Sequence, residues 1–306
     1  MRVLITGATG TIGLALADGL AARGDQVVAL SRDPERGQRV LGQGAEVHAW
    51  PDPESGPPPS EVLAGADAVV NLVGEPVAQR WSEEAKRRIR ESRVLSTRML
   101  VGALLALPPD GRPRTLISQS ATGYYGPRDT APIDEAESAG DDFLAEVTVA
   151  WEGEAAGAKA SMRVICTRTG VVLSRSGGAL AKMLPFFKLG IGGPVAGGRQ
   201  YVPWIHLDDV VGGVMHCLDH EEATGGVNLT APKPVTNTEL SRAPGHALRR
   251  PAVLPVPGVA VKLLYGEMAE IVTTGQRAIP AKLEGLGYTF RYPEIAPALK
   301  DVLSDQ

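Results

Sequence analysis

The chain has 306 residues and a mass of 32.1 kDa. That is one large domain or two small ones, because single cores rarely grow beyond roughly 250–300 residues. Hydrophobic residues make up 43% and charged residues 22%, ordinary globular values that exclude a disordered chain. With 31 basic side chains against 35 acidic ones the net charge is −4, so the electrostatic case for nucleic-acid binding is missing.

Glycine stands out at 36 residues and proline at 24, about 12% and 8% against a usual ~7% and ~5%. Without a three-residue period this composition predicts many tight turns and close backbone approaches. The two cysteines, Cys166 and Cys217, sit in apolar runs and read as buried thiols, not as a disulfide framework. The start MRVLITGATG lacks the apolar segment and cleavage site of a secretory leader. No apolar run reaches the roughly 18 residues of a membrane span. The expectation is a cytoplasmic protein, monomer or homodimer, with neither a membrane nor nucleic acid as partner.

Strand and helix signals alternate through the first half. Residues 2–6 (RVLIT) read as a short buried strand, and 11–23 carry helical spacing at Ile12, Leu16 and Leu20, stopped by Gly24. Residues 26–31 (QVVALS) form a second strand, 45–50 a weaker third, and 67–73 (DAVVNLV) a fourth after a Pro-rich loop. A long helix over 82–107 starts at Ser82 with Glu83 and Glu84 in its first turn, and stops before Pro108 and Pro109. A strand at 114–120, a helix at 142–156 and a strand at 162–169 follow. Such alternation with continuous apolar strands predicts an α/β fold, a doubly wound parallel sheet covered on both faces. Beyond residue 170 the pattern breaks into glycine clusters, scattered strand signals at 200–205 and 226–230, and short helices over 238–248, 259–264 and 267–273.

The loop Gly7-Ala8-Thr9-Gly10-Thr11-Ile12-Gly13 joins the first strand to the first helix. In that context its glycines let the backbone turn tightly against a pyrophosphate, and the helix N-terminus offers N–H groups and a positive dipole end. Gly7, Thr9, Gly10, Thr11, Ile12 and Gly13 are therefore candidate cofactor contacts. No GxxxxGK[ST] phosphate loop occurs. At the end of the second strand, where NAD enzymes carry an acidic residue for the ribose, the chain has Ser31-Arg32. Arg offers a donor fork to a 2′-phosphate and Ser31 a hydroxyl, so the expected cofactor is NADP(H).

Together these residues resemble the short-chain dehydrogenase/reductase superfamily, in its extended branch, the NAD-dependent epimerase/dehydratase type. Asn71-Leu72-Val73-Gly74 is similar to the branch's segment beside the cofactor. Ser118-Gln119-Ser120-Ala121-Thr122-Gly123-Tyr124-Tyr125-Gly126 is similar to its SSSATVYG segment, and Trp204-Ile205-His206-Leu207-Asp208-Asp209 to its (F/Y)xHVDD segment. GEPVAQRW, SRVLST, LGIGGPVAGGRQ, NLTAPKPVTN and RRPAVLPVPG resemble one subfamily of NADP-binding, epimerase-family oxidoreductases with an uncharacterised C-terminal domain. The resemblance implies a Rossmann fold with a smaller C-terminal substrate lobe: an NADP-binding domain at 1–170, rejoined by 200–231, and a second lobe from 171–199 and 232–306. It implies that Leu72, Val73, Gly74 and Ser118 lie at the cofactor, and that Ser120 stands at the position of the catalytic hydroxyl. Arg93, in the SR pair of SRVLST, is placed to reach the cofactor or an anionic substrate.

The superfamily's Tyr and Lys, four apart on one helix, are absent: 142–156 (DDFLAEVTVAWEGEA) holds neither. Tyr124 or Tyr125 is the stand-in proton donor, with Tyr124 the first candidate. Glu152 reads as a helix-face carboxylate, Trp151 as core and His206 as a structural histidine. Arg199 and Gln200, after the glycine-rich loop, are the substrate-contact candidates. The histidines and cysteines have no metal-ligand spacing. The expected function is an NADP(H)-dependent oxidoreductase or epimerase-like enzyme on an unidentified small carbonyl or hydroxyl substrate. The alternative is a non-catalytic NADP(H)-binding sensor, because the Tyr-x-x-x-Lys pair is missing.

Overall fold

The computed structural model describes residues 1–175, 177–248, 250, 252 and 254–304. Arg249, Pro251 and Val253 of the RRPAVLPVPG segment lie outside them.

Seven parallel strands make the central sheet: β1 (Arg2–Thr6), β2 (Gln26–Ser31), β3 (Ala45–Ala49), β4 (Ala68–Asn71), β5 (Thr115–Ala121), β6 (Arg163–Thr169) and β7 (Gly225–Leu229), in the spatial order 3-2-1-4-5-6-7. This is the doubly wound Rossmann-type sheet that the alternating pattern predicts. The strands read as unbroken apolar runs because both faces are covered. Val3 and Ile5 pack with Leu16, Leu20, Val210 and Val214 on one face. Leu4 packs with Leu100, Leu104 and Leu116 on the other.

Helix Thr11–Arg23 has Gly10 as N-cap and ends on Gly24 in the left-handed region at φ +90°, where glycine carries no Cβ penalty. Ser82 accepts a hydrogen bond from the Ala85 N–H at the start of helix Glu83–Ala106. Asp142 does the same for Ala145 at the start of helix Phe143–Ala156.

A buried polar chain ties these parts together. The Thr6 hydroxyl donates to Asn71 Oδ1 (2.7 Å), Asn71 Nδ2 donates to Thr97 Oγ1 (2.9 Å), and Trp151 Nε1 donates to the same hydroxyl (2.9 Å). Each buried polar group is thereby satisfied, and helix Phe143–Ala156 is held in register over the ends of β4 and β5.

A further hydrophobic cluster gathers Leu173, Leu180, Leu184, Trp204, Leu240 and Leu299. It joins helices Gly178–Lys188, Asn237–Leu248 and Ile295–Leu303 to the short parallel pair Val171–Leu173 and Trp204–His206. The glycine-rich stretch after residue 170 thus contains a helix, Gly178–Lys188, that its composition does not announce. Cys166 and Cys217 are buried free thiols. Among the described residues, no helix is long and apolar enough to cross a membrane.

Candidate active site

A cavity of about 420 Å3 opens where β4, β5 and β6 end. Its base is formed by residues 72–74 and 119–122, and one wall by Phe143, Val147, Thr148 and Trp151 of the helix. The far wall comes from residues 201–203 and from 270–276 near the C-terminus. Gln276 Nε2 donates to the Thr122 carbonyl (2.8 Å), which fastens that wall to the end of β5.

The glycine loop lies at the crossover between β1 and β4. Gly7 adopts φ +67°, and a Cβ there would stand 2.7 Å from the Leu72 carbonyl oxygen. A Cβ on Gly13 would stand 2.4 Å from the Gly7 oxygen. Gly10 caps the helix without a side-chain acceptor, so the N–H groups of Thr11, Ile12 and Gly13 are free for an anion. Thr9 is exposed on the loop. Ser31 closes β2, its hydroxyl donating to the Asp33 carbonyl (2.8 Å). Arg32 is exposed beside it, with no ion pair to a described residue. This cradle fits a dinucleotide: a close-approach loop, a bare helix terminus and a free guanidinium at the ribose end of β2.

Leu72, Val73 and Gly74 line the cavity. Arg93 lies flat against Gly74, where a Cβ would be 3.0 Å from its guanidinium carbon, and sits 5.2 Å from the Trp151 ring centre on its other side. Its guanidinium donates to the Ile89 carbonyl (2.9 Å). Burial pulls its pKa down to about 10, against the pull of Glu75. Ser118 is buried below this level, with Asn71 Nδ2 at 3.5 Å from its hydroxyl.

Ser120 faces the cavity from the end of β5, and its hydroxyl donates to Glu152 Oε1 at 2.7 Å. Glu152 is no open helix-face carboxylate. Arg168 grips it in a two-pronged pair, Nε to Oε1 and Nη2 to Oε2, each 2.9 Å. Only 6% of the Arg168 side chain and 15% of the Glu152 side chain are exposed. Burial works against the Arg168 charge, but the Glu152 pair and the Tyr125 hydroxyl raise its pKa above the ordinary arginine value. Sheet register sets this up, because Ser120 is paired with Arg168, and Arg168 with Asn228.

Tyr124 does not line the cavity; the Arg168 guanidinium covers its ring at 3.4 Å. Tyr125 is fully buried and donates to Asn228 Oδ1 (2.7 Å), and burial pushes its phenol up to about 12. Gln200 gives its amide to the Val195 and Val272 carbonyls. Arg199 is exposed, and it is Tyr201, the residue after Gln200, that reaches the cavity. Trp151 is both core and cavity wall. His206 accepts from the Asp208 N–H (3.1 Å) and caps helix Leu207–Asp219. No group of metal-binding residues occurs among the described residues.

Composition and motif do not single out Glu152 and Arg168. One signal does point to them: RVICTRT places an arginine deep in a buried strand, and a charge there requires a buried partner.

Residues 3–229 match the NAD dependent epimerase/dehydratase family, and residues 256–302 a domain of unknown function (DUF1731). The chain is 42% identical over 300 residues to the epimerase family protein Mb2239 of Mycobacterium bovis, covering 97% of this chain and 96% of that protein. It is 38% identical over 310 residues to the chloroplastic SDR39U1 homologue of Arabidopsis thaliana, covering 99% of this chain and 87% of that protein. The crystal structure of human epimerase family protein SDR39U1 (isoform 2) with NADPH is 36% identical, with a TM-score of 0.89 over 100% of both chains. MoeE5 in complex with UDP-glucose and NAD, at 19% identity and a TM-score of 0.77 over 99% of this chain and 98% of that one, shares the fold. The chain belongs to the NAD-dependent epimerase/dehydratase family.

Proposed function

We propose that the protein is an NADP(H)-dependent oxidoreductase, or an epimerase-like enzyme passing through the same oxidised carbon, that acts on a small carbonyl or hydroxyl compound in the 420 Å3 cavity. The observation that carries this reading is the Ser120–Glu152–Arg168 cluster at the cavity base. Glu152 stands on the helix that carries Tyr and Lys in the superfamily, and it is joined to the catalytic-position serine.

When bound, the nicotinamide supplies or accepts a hydride at C4. The chain's own residues must hold the substrate oxygen and manage one proton. A carboxylate paired with a guanidinium only accepts hydrogen bonds, so Ser120 donates to Glu152 and turns its lone pairs to the cavity. A substrate hydroxyl donates to Ser120. As the C–H hydride leaves for the cofactor, the hydroxyl proton passes to Ser120 Oγ and the Ser120 proton to Glu152 Oε1, leaving a carbonyl. Carbonyl reduction runs the relay in reverse, after Glu152 has taken up a proton from solvent, which passes through Ser120 to the substrate oxygen.

NADP(H) over NAD(H) is supported by Ser31 and the exposed Arg32 at the end of β2, and by the NADPH in the human relative's crystal structure. Titration with both cofactors tests it. Arg32→Ala weakens NADP(H) by about 1.5–3 kcal/mol, the worth of a charge-assisted hydrogen bond, and leaves NAD(H) unchanged. Equal losses for both refute the preference.

The sensor reading is favoured by the missing Tyr and Lys. The two are separated by following NADPH absorbance against a panel of carbonyl compounds. Oxidation that the Ser120→Ala variant lacks supports the enzyme; no oxidation above that variant's background supports the sensor.

A further inference from the structure

We propose that the cavity takes a small, uncharged, apolar carbonyl compound or its alcohol, an aryl ketone being the type case, and excludes nucleotide-diphosphate sugars. This deepens the proposed function and rests on it, since it presupposes that nicotinamide and substrate meet in this cavity.

Space is the first constraint. The cavity's 420 Å3 lies near the lower end of ligand pockets, about 300–1,000 Å3. The nicotinamide end of the cofactor shares that volume, because residues 72–74 and Ser120 are part of its lining. The remainder suits a compound about the size of one aromatic ring and a short chain, not a second nucleotide with a sugar.

Charge is the second. A nucleotide-diphosphate sugar brings two negative charges, which need several cations or helix termini to replace water. Arg93 is the one cationic residue among the described lining residues, against Glu75, Asp142 and Glu270. Arg93 lies against Gly74, at the cofactor end. The Asp142 carboxylate is spent on the Ala145 N–H. A diphosphate would therefore meet more negative than positive charge.

The wall chemistry is the third. Trp81 and Phe143 meet edge to face with ring centres 5.0 Å apart, and Leu144, Val147 and Ile271 continue the apolar surface. Such a surface rewards a ring or a branched chain. A sugar would lose its water there without replacement hydrogen bonds. The polar handles are few. Gln276 Oε1 is buried without a hydrogen-bond partner while its Nε2 is held by Thr122, and the Ser120 hydroxyl is both acceptor and donor. An alcohol donates to either oxygen; for the ketone, the Ser120 O–H turns from Glu152 to the carbonyl oxygen. Ile271 and Gln276 belong to the C-terminal domain of unknown function, so that domain supplies part of the substrate wall.

The test is equilibrium binding to the protein loaded with NADP+, with which a ketone cannot exchange hydride, read by quenching of tryptophan fluorescence. Acetophenone, 4-phenylbutan-2-one and UDP-glucose are the probes. The ketones are expected to bind and UDP-glucose to give no saturable change. Phe143→Ala should weaken ketone binding roughly tenfold while the NADP+ affinity stays as in the wild type. Tighter binding of UDP-glucose than of either ketone overturns the proposal, as does no saturable ketone binding. An unchanged ketone affinity in Phe143→Ala also overturns it. Failure of NADP+ itself to bind is a separate result and strikes the reading of the site, not the substrate class.

Discussion

Ser120 and Arg168 are register partners on adjacent strands, and Glu152, from the helix above them, bonds to both, at 2.7 Å and 2.9 Å. The sheet therefore delivers a hydroxyl and a guanidinium side by side, and the helix delivers the carboxylate that joins them. No loop contributes to this cluster, so its geometry is as rigid as the core beneath it.

Replacing Ser120 by Ala is expected to lower turnover on an identified substrate by roughly 10²–10⁴-fold, the usual share of a positioned proton-transfer group, with NADPH affinity unchanged. Glu152→Gln should lower turnover as well, but with a second consequence. It leaves Arg168 buried without its counter-charge, which costs about 3–5 kcal/mol, so its urea midpoint falls while that of Ser120→Ala moves far less. Full activity in Ser120→Ala would remove the relay from consideration.

The sheet and its helices are legible in the sequence because burial on both faces writes itself as unbroken apolar strands, and because glycines punctuate the ends. Gly10 and Gly24 bound helix Thr11–Arg23 at both ends. Helix Gly178–Lys188 is not legible. Its buried Leu180, Leu184 and Phe187 do keep helical spacing, but Pro185 inside it and the glycines around it speak for a loop. Helix Pro34–Leu41 hides for another reason, since Gly37 is its one buried residue and it has no apolar stripe. At the site, the glycine loop and Ser120 are legible as motif. Glu152 is not, because a carboxylate on a helix looks the same in sequence whether it meets water or an arginine from the sheet.

His206 should make stability depend on pH. Burial lowers its pKa below the ordinary 6.5, outweighing the pull of Asp208, Asp301 and Asp209. As pH falls, the unfolded chain takes up the proton before the folded one does. The stabilisation is thus complete above 6.5 and is lost as pH falls through the lower folded value. Asn at this position can still accept the Asp208 N–H as helix cap but cannot titrate. Denaturant midpoints of the wild type should fall on acidification from 6.5, and His206→Asn should flatten that slope even if it lowers stability throughout. Parallel slopes in the two proteins would rule His206 out as the source.

Gly13→Ala tests the cofactor cradle without touching the proton relay. The added methyl would stand 2.4 Å from the Gly7 oxygen and 2.6 Å from the Ala8 Cα, and these are backbone atoms that no side-chain rotation can clear. The loop must move away from the helix, and the N–H groups that face the pyrophosphate move with it. Helix Thr11–Arg23 itself gains from the exchange, since Ala outranks Gly by about 1 kcal/mol in a helix interior. The expected result is a loss of NADPH affinity of at least tenfold, read by quenching of protein fluorescence, together with a folded far-UV circular dichroism spectrum. Wild-type NADPH affinity in Gly13→Ala would mean that the cofactor does not lie on this loop.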